Sequence, residues 1–335
     1  MNLPVSTPPV SIAPMMDRTD RHYRYFMRFL TKKTLLYTEM VHTKAIIHGN
    51  RETIIGFDPT EKPLSLQVGG SAPKELAFCA KIAEEWGYDE ININVGCPSD
   101  RVQSGNFGAC LMANPELVAE GVAEMKAVCS IPVTVKHRIG IDEIDRYEDM
   151  ARFVDIVSQA KADRFSVHAR KAWLNGLSPK ENRTIPPLRY EDVYRLKQER
   201  PELSIEINGG ICSHEEMTEH LTHTDAVMIG RAAYDNPWLF SSVDELFFGA
   251  ENIGLDRLEI FAEMIPYIEK NMAQGTKMMS ITRHMLQLFA NRTGAKLWKR
   301  RLGEASAKQN NDILALKSVL YEPMLQPLEG EVYVR

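Results

Sequence analysis

The residue of this chain best suited to chemistry is Cys97, which lies in the segment NVGCPS at 94–99. The glycine and proline beside it predict a tight turn, and the glycine-rich stretch through Gly105–Gly108 predicts a mobile lid. A thiol with an ordinary pKa of about 8.5 is mostly protonated at neutral pH, so it suits a proton donor better than a nucleophile. Cys212 is the rival thiol, and a buried, inert Cys97 is the alternative.

Two glycine-containing segments predict a phosphate site. They are Asn208-Gly209-Gly210 and Gly230-Arg231. Backbone N–H groups at glycines can close on a phosphate oxygen, and an arginine can contact it bidentately. The phosphate could belong to a sugar, a nucleotide or a flavin, and glycines that serve only tight turns are the alternative.

Lys136 and His168 are predicted to end neighbouring strands and to face one bound ring. A lysine there can stabilise negative charge that develops on an electron-accepting cofactor. A salt bridge and a core histidine are the alternatives. No GxGxxG follows an early strand, so a Rossmann nicotinamide site is not expected.

The histidines at 214, 220 and 223 raise the question of a metal site. Their spacing suits no standard zinc site, and we expect a solvated helix face and no metal.

The elements that must position these residues alternate between strand and helix patterns. Helical patterns such as those at 73–86 and 115–128 separate eight apolar or β-branched segments, at 10–13, 35–40, 64–68, 90–95, 133–138, 164–169, 205–208 and 226–230. Eight such units predict an α/β fold, a (β/α)8 TIM barrel, with a doubly wound sheet as the alternative. Residues able to do chemistry follow six of the eight strands, where the active site of such a barrel lies.

After Leu239 the strand patterns stop. Helices are predicted at 256–274, 278–292, 294–308 and 312–320, which gives a barrel domain at 1–245 and an all-helical domain at 246–335. The net charge of the chain is −5, yet the stretch 277–308 has eight Lys and Arg against one acidic residue. This strip is a candidate nucleic-acid surface, with a solvated helix face as the alternative.

The overall composition is that of an ordinary globular protein. The chain has 335 residues, 44% hydrophobic and 25% charged, which excludes disordered and collagen-like classes. No apolar run approaches the roughly 18 residues of a membrane span, and the first nine residues have no signal-peptide pattern. Five cysteines without a CxxC pair predict a reducing compartment, so we expect a cytoplasmic protein.

Taken together, these segments resemble the tRNA-dihydrouridine synthases. The segments that carry the resemblance are SIAPM at 11–15, EM at 39–40, QVGG at 67–70, NINVGCP at 92–98, VKHR at 135–138, HAR at 168–170, NGG at 208–210 and GRA at 230–232. The stretches HARKAW at 168–173 and GLSPKENR at 176–183 are similar to the bacterial A subfamily.

The resemblance implies a bound FMN reduced by NADPH, with hydride passing from flavin N5 to uracil C6 and a proton passing from Cys97 to C5. It places Gln67, Lys136 and His168 at the isoalloxazine ring, with the turn Pro14, Met15 and Met16 beside it. It places Asn208, Gly209, Gly210, Gly230 and Arg231 at the phosphate and ribityl chain.

The resemblance also implies uridines 20 and 20a of the tRNA D loop as targets. Because a uracil inside the tRNA elbow cannot reach a barrel mouth, it must be extruded. Asn94 and Arg170 are the candidate partners of the base, Lys180 and Arg183 of neighbouring nucleotides, and Arg283, Lys299, Arg300 and Arg301 of distant phosphates. We expect a monomer.

Two rival functions remain open on the sequence. One is an FMN-dependent reductase of free pyrimidines resembling dihydroorotate dehydrogenases, which would not need the basic strip. The other is a non-catalytic tRNA-binding protein on a decayed barrel. A phosphosugar enzyme is a weaker third option, because no acid–base pair is evident.

Overall fold

The computed structural model describes residues 7–307, 312–322 and 325. The chain forms two compact units. The first contains the described residues up to Asp17 together with Thr34–Gly230, and the second contains Arg18–Lys33 together with the described residues from Arg231 onward. Lys308, the predicted end of one helix, lies outside the described residues.

The strands of the first unit form one parallel sheet. They are β1 (Val10–Ile12), β2 (Leu36–Tyr37), β3 (Val41–His42), β4 (Leu64–Gly69), β5 (Glu90–Val95), β6 (Val133–Arg138), β7 (Arg164–His168), β8 (Ile205–Asn208) and β9 (Ala226–Ile229). Neighbours follow the order β1-β9-β8-β7-β6-β5-β4-β2, and β3 also pairs with β4. At the other edge, the Ile12 N–H donates to the carbonyl of Leu35 at 2.9 Å, which brings β1 beside β2. The sheet is therefore the predicted eight-stranded barrel, in which β2 and β3 share one position.

Of the segment 35–40, predicted as one strand, only Leu36–Tyr37 forms β2, and β3 begins beyond the segment at Val41. The hydroxyl of Thr38 accepts the backbone N–H of Gln67 at 3.0 Å and donates to the carbonyl of Glu39 at 2.8 Å. A side chain thus takes the place of a backbone acceptor in the ladder, and regular pairing stops there.

Helices follow the strands along the barrel and make up the second unit. They are α1 (Arg21–Met27), α2 (Thr43–His48), α3 (Arg51–Ile55), α4 (Pro73–Glu85), α5 (Asp100–Gln103), α6 (Pro115–Lys126), α7 (Tyr147–Ser158), α8 (Tyr190–Glu199), α9 (His214–Leu221), α10 (Arg231–Asp235), α11 (Val243–Phe248), α12 (Arg257–Ala273), α13 (Met278–Thr282), α14 (Ala295–Ala307) and α15 (Ile313–Ser318). Within the described ranges, no helix is both long enough and apolar enough to cross a membrane.

The strands alternate between apolar and polar side chains, and both sets are buried. Leu66, Ile93 and Val135 belong to the apolar set that faces the surrounding helices. Gln67 and Asn92 belong to the polar set, whose members hydrogen-bond to one another across strands inside the barrel. The barrel interior is therefore polar, and the apolar core lies between the sheet and the helices.

A buried ion cluster lies at the amino ends of the inner strands. The Arg164 guanidinium lies 2.6 Å from a carboxylate oxygen of Glu90 and 3.5 Å from one of Glu206. Glu90 also accepts from the hydroxyls of Tyr37, at 2.9 Å, and Thr134, at 2.8 Å. Two buried carboxylates thus share one buried cation, and their oxygens also accept hydrogen bonds from hydroxyl groups.

The second unit begins earlier than the predicted boundary after residue 245, and it includes α1. The carboxylate of Asp20, which caps α1, accepts from Arg283 at 2.6 Å and His284 at 3.0 Å. The ring of Tyr25 stacks on that of Tyr267 at 3.9 Å between centroids. These contacts join residues far apart in sequence, so no local pattern could assign α1 to the helical unit.

The predicted helix at 278–292 is also shorter than expected, because α13 ends at Thr282 and a 3₁₀ turn covers only Arg283–Met285. The indole N–H of Trp298 donates to the carbonyl of Met285 at 2.8 Å, and the Arg257 guanidinium donates to that of Leu288 at 3.0 Å. Side-chain N–H groups thus donate to carbonyls that would accept backbone N–H groups in a continuing helix.

We predict that Arg164→Met lowers the free energy of unfolding by about 3–5 kcal/mol, because it leaves two buried carboxylates without their cation. The measurement is urea denaturation followed by circular dichroism. The matched control is Arg152→Met, which removes an exposed ion pair with Glu116 and should change stability by less than about 1 kcal/mol. Equal losses in the two variants would contradict the role of the cluster.

Candidate active site

The carboxyl ends of the inner strands bring the predicted site residues of the barrel together. Strand register sets Asn94 opposite Lys136, and His168 opposite Asn208, while Gln67 is paired with Asn92. These side chains line one end of the polar interior, as the barrel geometry requires of an active site.

The amide side chains of this end are oriented by a chain of hydrogen bonds. The Thr134 hydroxyl, which donates to Glu90, accepts from Asn92 Nδ2 at 2.8 Å. Asn92 Oδ1 accepts from Gln67 Nε2 at 2.8 Å, and Gln67 Oε1 accepts from Asn94 Nδ2 at 2.9 Å. Because the carboxylate of Glu90 can only accept when ionised, it fixes the direction of the whole chain. Gln67 and Asn94 each keep one further amide N–H for a ligand.

Cys97 is presented by a loop that Asn94 holds. Asn94 Oδ1 accepts the backbone N–H groups of Gly96 at 3.1 Å and Cys97 at 2.9 Å. The thiol is half-buried, and its sulfur lies 3.6 Å from the Ser99 hydroxyl. Part of the Asn94 amide thus has a structural role in addition to the predicted contact with a base.

The loop after Cys97 turns back against it at Gly108. The Ala109 N–H donates to the carbonyl of Cys97 at 2.9 Å. Gly108 has a φ of 74°, and a Cβ there would lie 2.6 Å from that same carbonyl oxygen. Only glycine fits this close approach, so the glycine of the predicted lid positions Cys97.

Lys136 is a partly buried cation with one strong partner. Its Nζ donates to Asn208 Oδ1 at 3.0 Å, and Asn208 Nδ2 donates to the carbonyl of Met228 at 2.7 Å. Burial, and after it the charge of Arg138, lower the pKa of Lys136 to about 8, against the opposing effect of Glu206. A lysine in this state can stabilise negative charge on a bound ring, and it can exchange a proton near neutral pH.

The two glycine segments differ in what they require. Gly209 and Gly210 have φ values of 123° and 78°, so the backbone itself selects glycine there. Gly230 has no such φ, and a Cβ added to it would meet no described atom within 4 Å. Neither the backbone conformation nor packing therefore requires glycine at position 230. The space beside its backbone is open, and a phosphate can approach there. Arg231 follows directly, is exposed, and begins α10 of the second unit.

The remaining predicted residues of the first unit occupy the edge of the barrel. Pro14 and Met15 are half-buried after β1, and Met16 is 55% exposed, as suits a turn beside a ligand. Arg170 donates to the carbonyl of Pro186, which anchors the loop after β7. Lys180 and Arg183 lie on that loop, and both are exposed.

The basic strip belongs to the second unit, and its members differ in how they are paired. Arg283 is tied to Asp20 and Arg301 lies 2.6 Å from Glu322, so both charges are compensated. Lys299 and Arg300 are exposed on α14, and Arg300 lies 3.9 Å from a carboxylate oxygen of Glu304.

The histidines after β8 do not form a metal site. His220 is buried, with its ring nitrogen 2.7 Å from the Tyr194 hydroxyl. His223 faces Glu219 at 3.4 Å. No group of His, Cys, Asp or Glu in the described part of the chain is arranged to hold a metal ion.

Two further residues of this end are Arg138, a predicted strand-end residue to which no ligand contact was assigned, and Asn92, which was not predicted to belong to the site. Both are buried on the inward face, Arg138 at the end of β6 and Asn92 in the middle of β5. The period-2 alternation of EININV and VTVKHR places them in phase with Asn94 and Lys136, so the signal was present in the sequence.

The family of the chain is decided by a sequence model whose description is dihydrouridine synthase (Dus), which matches residues 11–323. The chain belongs to the dihydrouridine synthase family. The match extends over both structural units, so the helical unit is part of what the family shares.

Individual members of the dihydrouridine synthase family are similar over most of their length. A protein from Synechocystis, named tRNA-dihydrouridine(20/20a) synthase, is 60% identical over 298 residues, which cover 89% of each chain. A protein of the same name from Vibrio parahaemolyticus is 56% identical over 312 residues, which cover 93% of this chain and 95% of the relative.

Among solved structures, a 2-naphthoyl-CoA reductase complex superimposes with a TM-score of 0.55 at 9% identity. The match covers 71% of this chain and 50% of that one. At such low identity the likeness concerns the fold, and it agrees with the barrel described above.

We predict that the stability difference between the wild type and Lys136→Met depends on pH. Between about pH 8 and 10.5 the unfolded chain holds a proton on Lys136 that the folded chain has lost, so wild-type stability rises with pH relative to the variant. The expected rise is about 1–2 kcal/mol between pH 8 and 10. Urea denaturation of both proteins across this range measures it.

The control for this prediction is the exposed lysine Lys81. Lys81→Met should differ from the wild type by an amount that stays constant over the same pH range. A constant difference for Lys136→Met as well would show that its pKa is not lowered.

Proposed function

We propose that this protein reduces uridines 20 and 20a in the D loop of tRNA to 5,6-dihydrouridine, with bound FMN as cofactor and NADPH as the source of electrons. The names of the relatives support the substrate and the two positions. The observation that carries the proposal is the half-buried thiol of Cys97, held by Asn94 at the mouth of a polar barrel that also contains the cation Lys136.

The residues at the barrel mouth fit a flavin mononucleotide. Open space at Gly230 accepts a phosphate, and the cation Lys136 suits a ring that takes up negative charge on reduction. We expect the cofactor to be held by Pro14, Met15, Met16, Gln67, Lys136, His168, Asn208, Gly209, Gly210, Gly230 and Arg231. When bound and reduced, the flavin supplies a hydride to C6 of the uracil.

Cys97 donates the proton that completes the reduction. The Sγ–H bond breaks, the proton goes to C5 of the uracil, and the thiolate then regains a proton from solvent. The half-buried position of the thiol permits both transfers. The hydrogen bonds that Asn94 Oδ1 accepts from the backbone N–H groups of Gly96 and Cys97 hold the sulfur in place for the first transfer.

The uracil must leave the tRNA stack to reach this thiol. The second amide N–H of Asn94 and the guanidinium of Arg170 are donors for the carbonyl oxygens of the extruded base. Lys180 and Arg183, exposed on the loop after β7, are placed for the phosphates of the target nucleotide and its neighbours.

The helical unit is the tRNA-binding domain in this proposal. Lys299 and Arg300 contribute most to phosphate binding, because Arg283 and Arg301 are compensated by Asp20 and Glu322. The protein acts as a monomer in the cytoplasm, where its tRNA substrate is found.

An anaerobic absorbance measurement tests the proposal. The bound flavin is reduced with limiting NADPH, and tRNA that lacks dihydrouridine is then added. Return of the flavin absorbance with this tRNA but not with free uridine is the expected result. Return with free uridine alone would favour a reductase of free pyrimidines, and a purified protein without flavin would overturn the proposal.

We predict that Cys97→Ala lowers dihydrouridine formation about 10²–10⁴-fold, since it removes the general acid while leaving the flavin-binding residues in place. Mass spectrometry of digested tRNA measures the product, and absorbance measures the flavin content. Cys212→Ala, which removes the exposed thiol beside Gly210, is the control and should keep its activity. Normal product from Cys97→Ala would disprove the acid role.

We predict that Lys299→Ala combined with Arg300→Ala weakens tRNA binding and lowers the slope of log K against log salt by up to about 2, one unit for each lost phosphate contact. Filter binding at several salt concentrations gives the slope. Arg146→Ala combined with Arg152→Ala removes two exposed charges from the barrel unit and should leave the slope unchanged. A wild-type slope for the Lys299 and Arg300 double variant would exclude these two residues from the interface.

A further inference from the structure

Two loops at the barrel mouth are joined by the side chain of Gln103. We name residues 96–110, after β5, the cysteine loop, and residues 170–189, after β7, the lysine loop. Gln103, at the end of α5 in the cysteine loop, donates from Nε2 to the carbonyl of Pro98 at 2.8 Å. The same nitrogen donates to the carbonyl of Leu174 in the lysine loop at 2.7 Å. One amide nitrogen of Gln103 therefore binds both the backbone just after Cys97 and the backbone of the lysine loop.

Arg138 makes a second connection between the same loops. Its Nε donates to the carbonyl of Gly96 at 2.8 Å, next to Cys97. Its Nη1 donates to the carbonyls of Lys171 and Asn182 at 3.0 Å each. The side chain is 3% exposed, so it is locked between three carbonyls.

The lysine loop is itself well fixed, so it can serve as an anchor. Asn182 is fully buried, and its Oδ1 accepts the backbone N–H of Trp173 at 2.8 Å. Its Nδ2 donates to the carbonyls of Trp173 at 2.9 Å and Leu177 at 3.1 Å. Leu174, the residue that Gln103 contacts, is also bound through its N–H to Asp142 at 2.8 Å.

Near the thiol, the cysteine loop is held from two sides. Asn94 holds the backbone N–H groups of Gly96 and Cys97 from the strand side, and Ala109 holds the Cys97 carbonyl. On the far side of the thiol, the carbonyl of Pro98 is held by Gln103. The position of the sulfur thus depends on a contact with the lysine loop as well as on its own strand.

We propose that Gln103 is a positioning residue for Cys97, which it sets by tying the cysteine loop to the lysine loop, with Arg138 as the second tie. In catalysis this inference rests on the proposed function, in which Cys97 is the proton donor. In that function the two ties also connect Lys180 and Arg183, on the lysine loop, to the thiol on the cysteine loop. A nucleotide held by the lysine loop is therefore aligned with Cys97.

The test uses two substitutions of Gln103 in the full chain. Gln103→Ala removes the side chain, and Gln103→Glu keeps its size but removes both N–H donors. Gln198→Ala, at an exposed position of α8, is the matched control. The first readout is the rate at which iodoacetamide alkylates Cys97 in the protein without tRNA, followed by peptide mass spectrometry.

We expect Cys97 to be alkylated about ten times faster in both Gln103 variants and at the wild-type rate in Gln198→Ala. The second readout is steady-state kinetics with tRNA, where we expect kcat to fall about tenfold and KM for tRNA to change less than twofold. A loss of binding alone would instead raise KM.

Unchanged alkylation in both Gln103 variants would overturn the positioning role. Faster alkylation in Gln103→Ala but not in Gln103→Glu would also overturn it, because packing rather than the hydrogen bonds would then hold the loop. If alkylation accelerates as expected but the wild-type protein makes no dihydrouridine, the positioning role stands and the proposed function fails.

Discussion

The buried ion cluster of Arg164, Glu90 and Glu206 is the constraint on which the rest of the barrel depends. A barrel interior filled with polar side chains is stable only if every charge is paired and every hydrogen bond is made. Arg164, on β7, satisfies one carboxylate from β5 and one from β8, and hydroxyl groups complete their hydrogen bonds. The apolar face of each strand is then left to pack against the helices.

The same cluster reaches the reactive thiol through a continuous series of hydrogen bonds. From Glu90 the series runs through Thr134, Asn92, Gln67 and Asn94 to the backbone N–H of Cys97. Each amide in it has one orientation, because the charged end accepts and cannot donate. The site is therefore organised before any ligand binds, and the donors that Gln67 and Asn94 present are set from the opposite end of the barrel.

In the helical unit, one carboxylate joins segments that are far apart in the sequence. Its stability near α1 rests on Asp20, whose carboxylate caps that helix and binds both Arg283 and His284. Burial by itself would raise the pKa of Asp20, but the hydrogen bonds from His284, the Tyr23 N–H and Arg283 outweigh it and hold the pKa well below its ordinary value. Arg283, a residue of the basic strip, is thereby used for structure, so the proposed function assigns phosphate binding chiefly to Lys299 and Arg300.

The sequence by itself determined the order of strands and helices, the barrel and the segments that carry the site. Strand periodicity and glycine position are local properties, and eight strand segments, six of them followed by residues able to do chemistry, admit few other folds. It did not determine that α1 joins the helical unit, that the strand predicted at 35–40 stops after Tyr37 and a separate strand begins at Val41, or that Arg164, Arg138 and Gln103 hold the candidate site. Those facts depend on side chains that meet across long sequence separations, such as the 71 residues between Gln103 and Leu174. Only the folded chain brings such donors and acceptors within bonding distance.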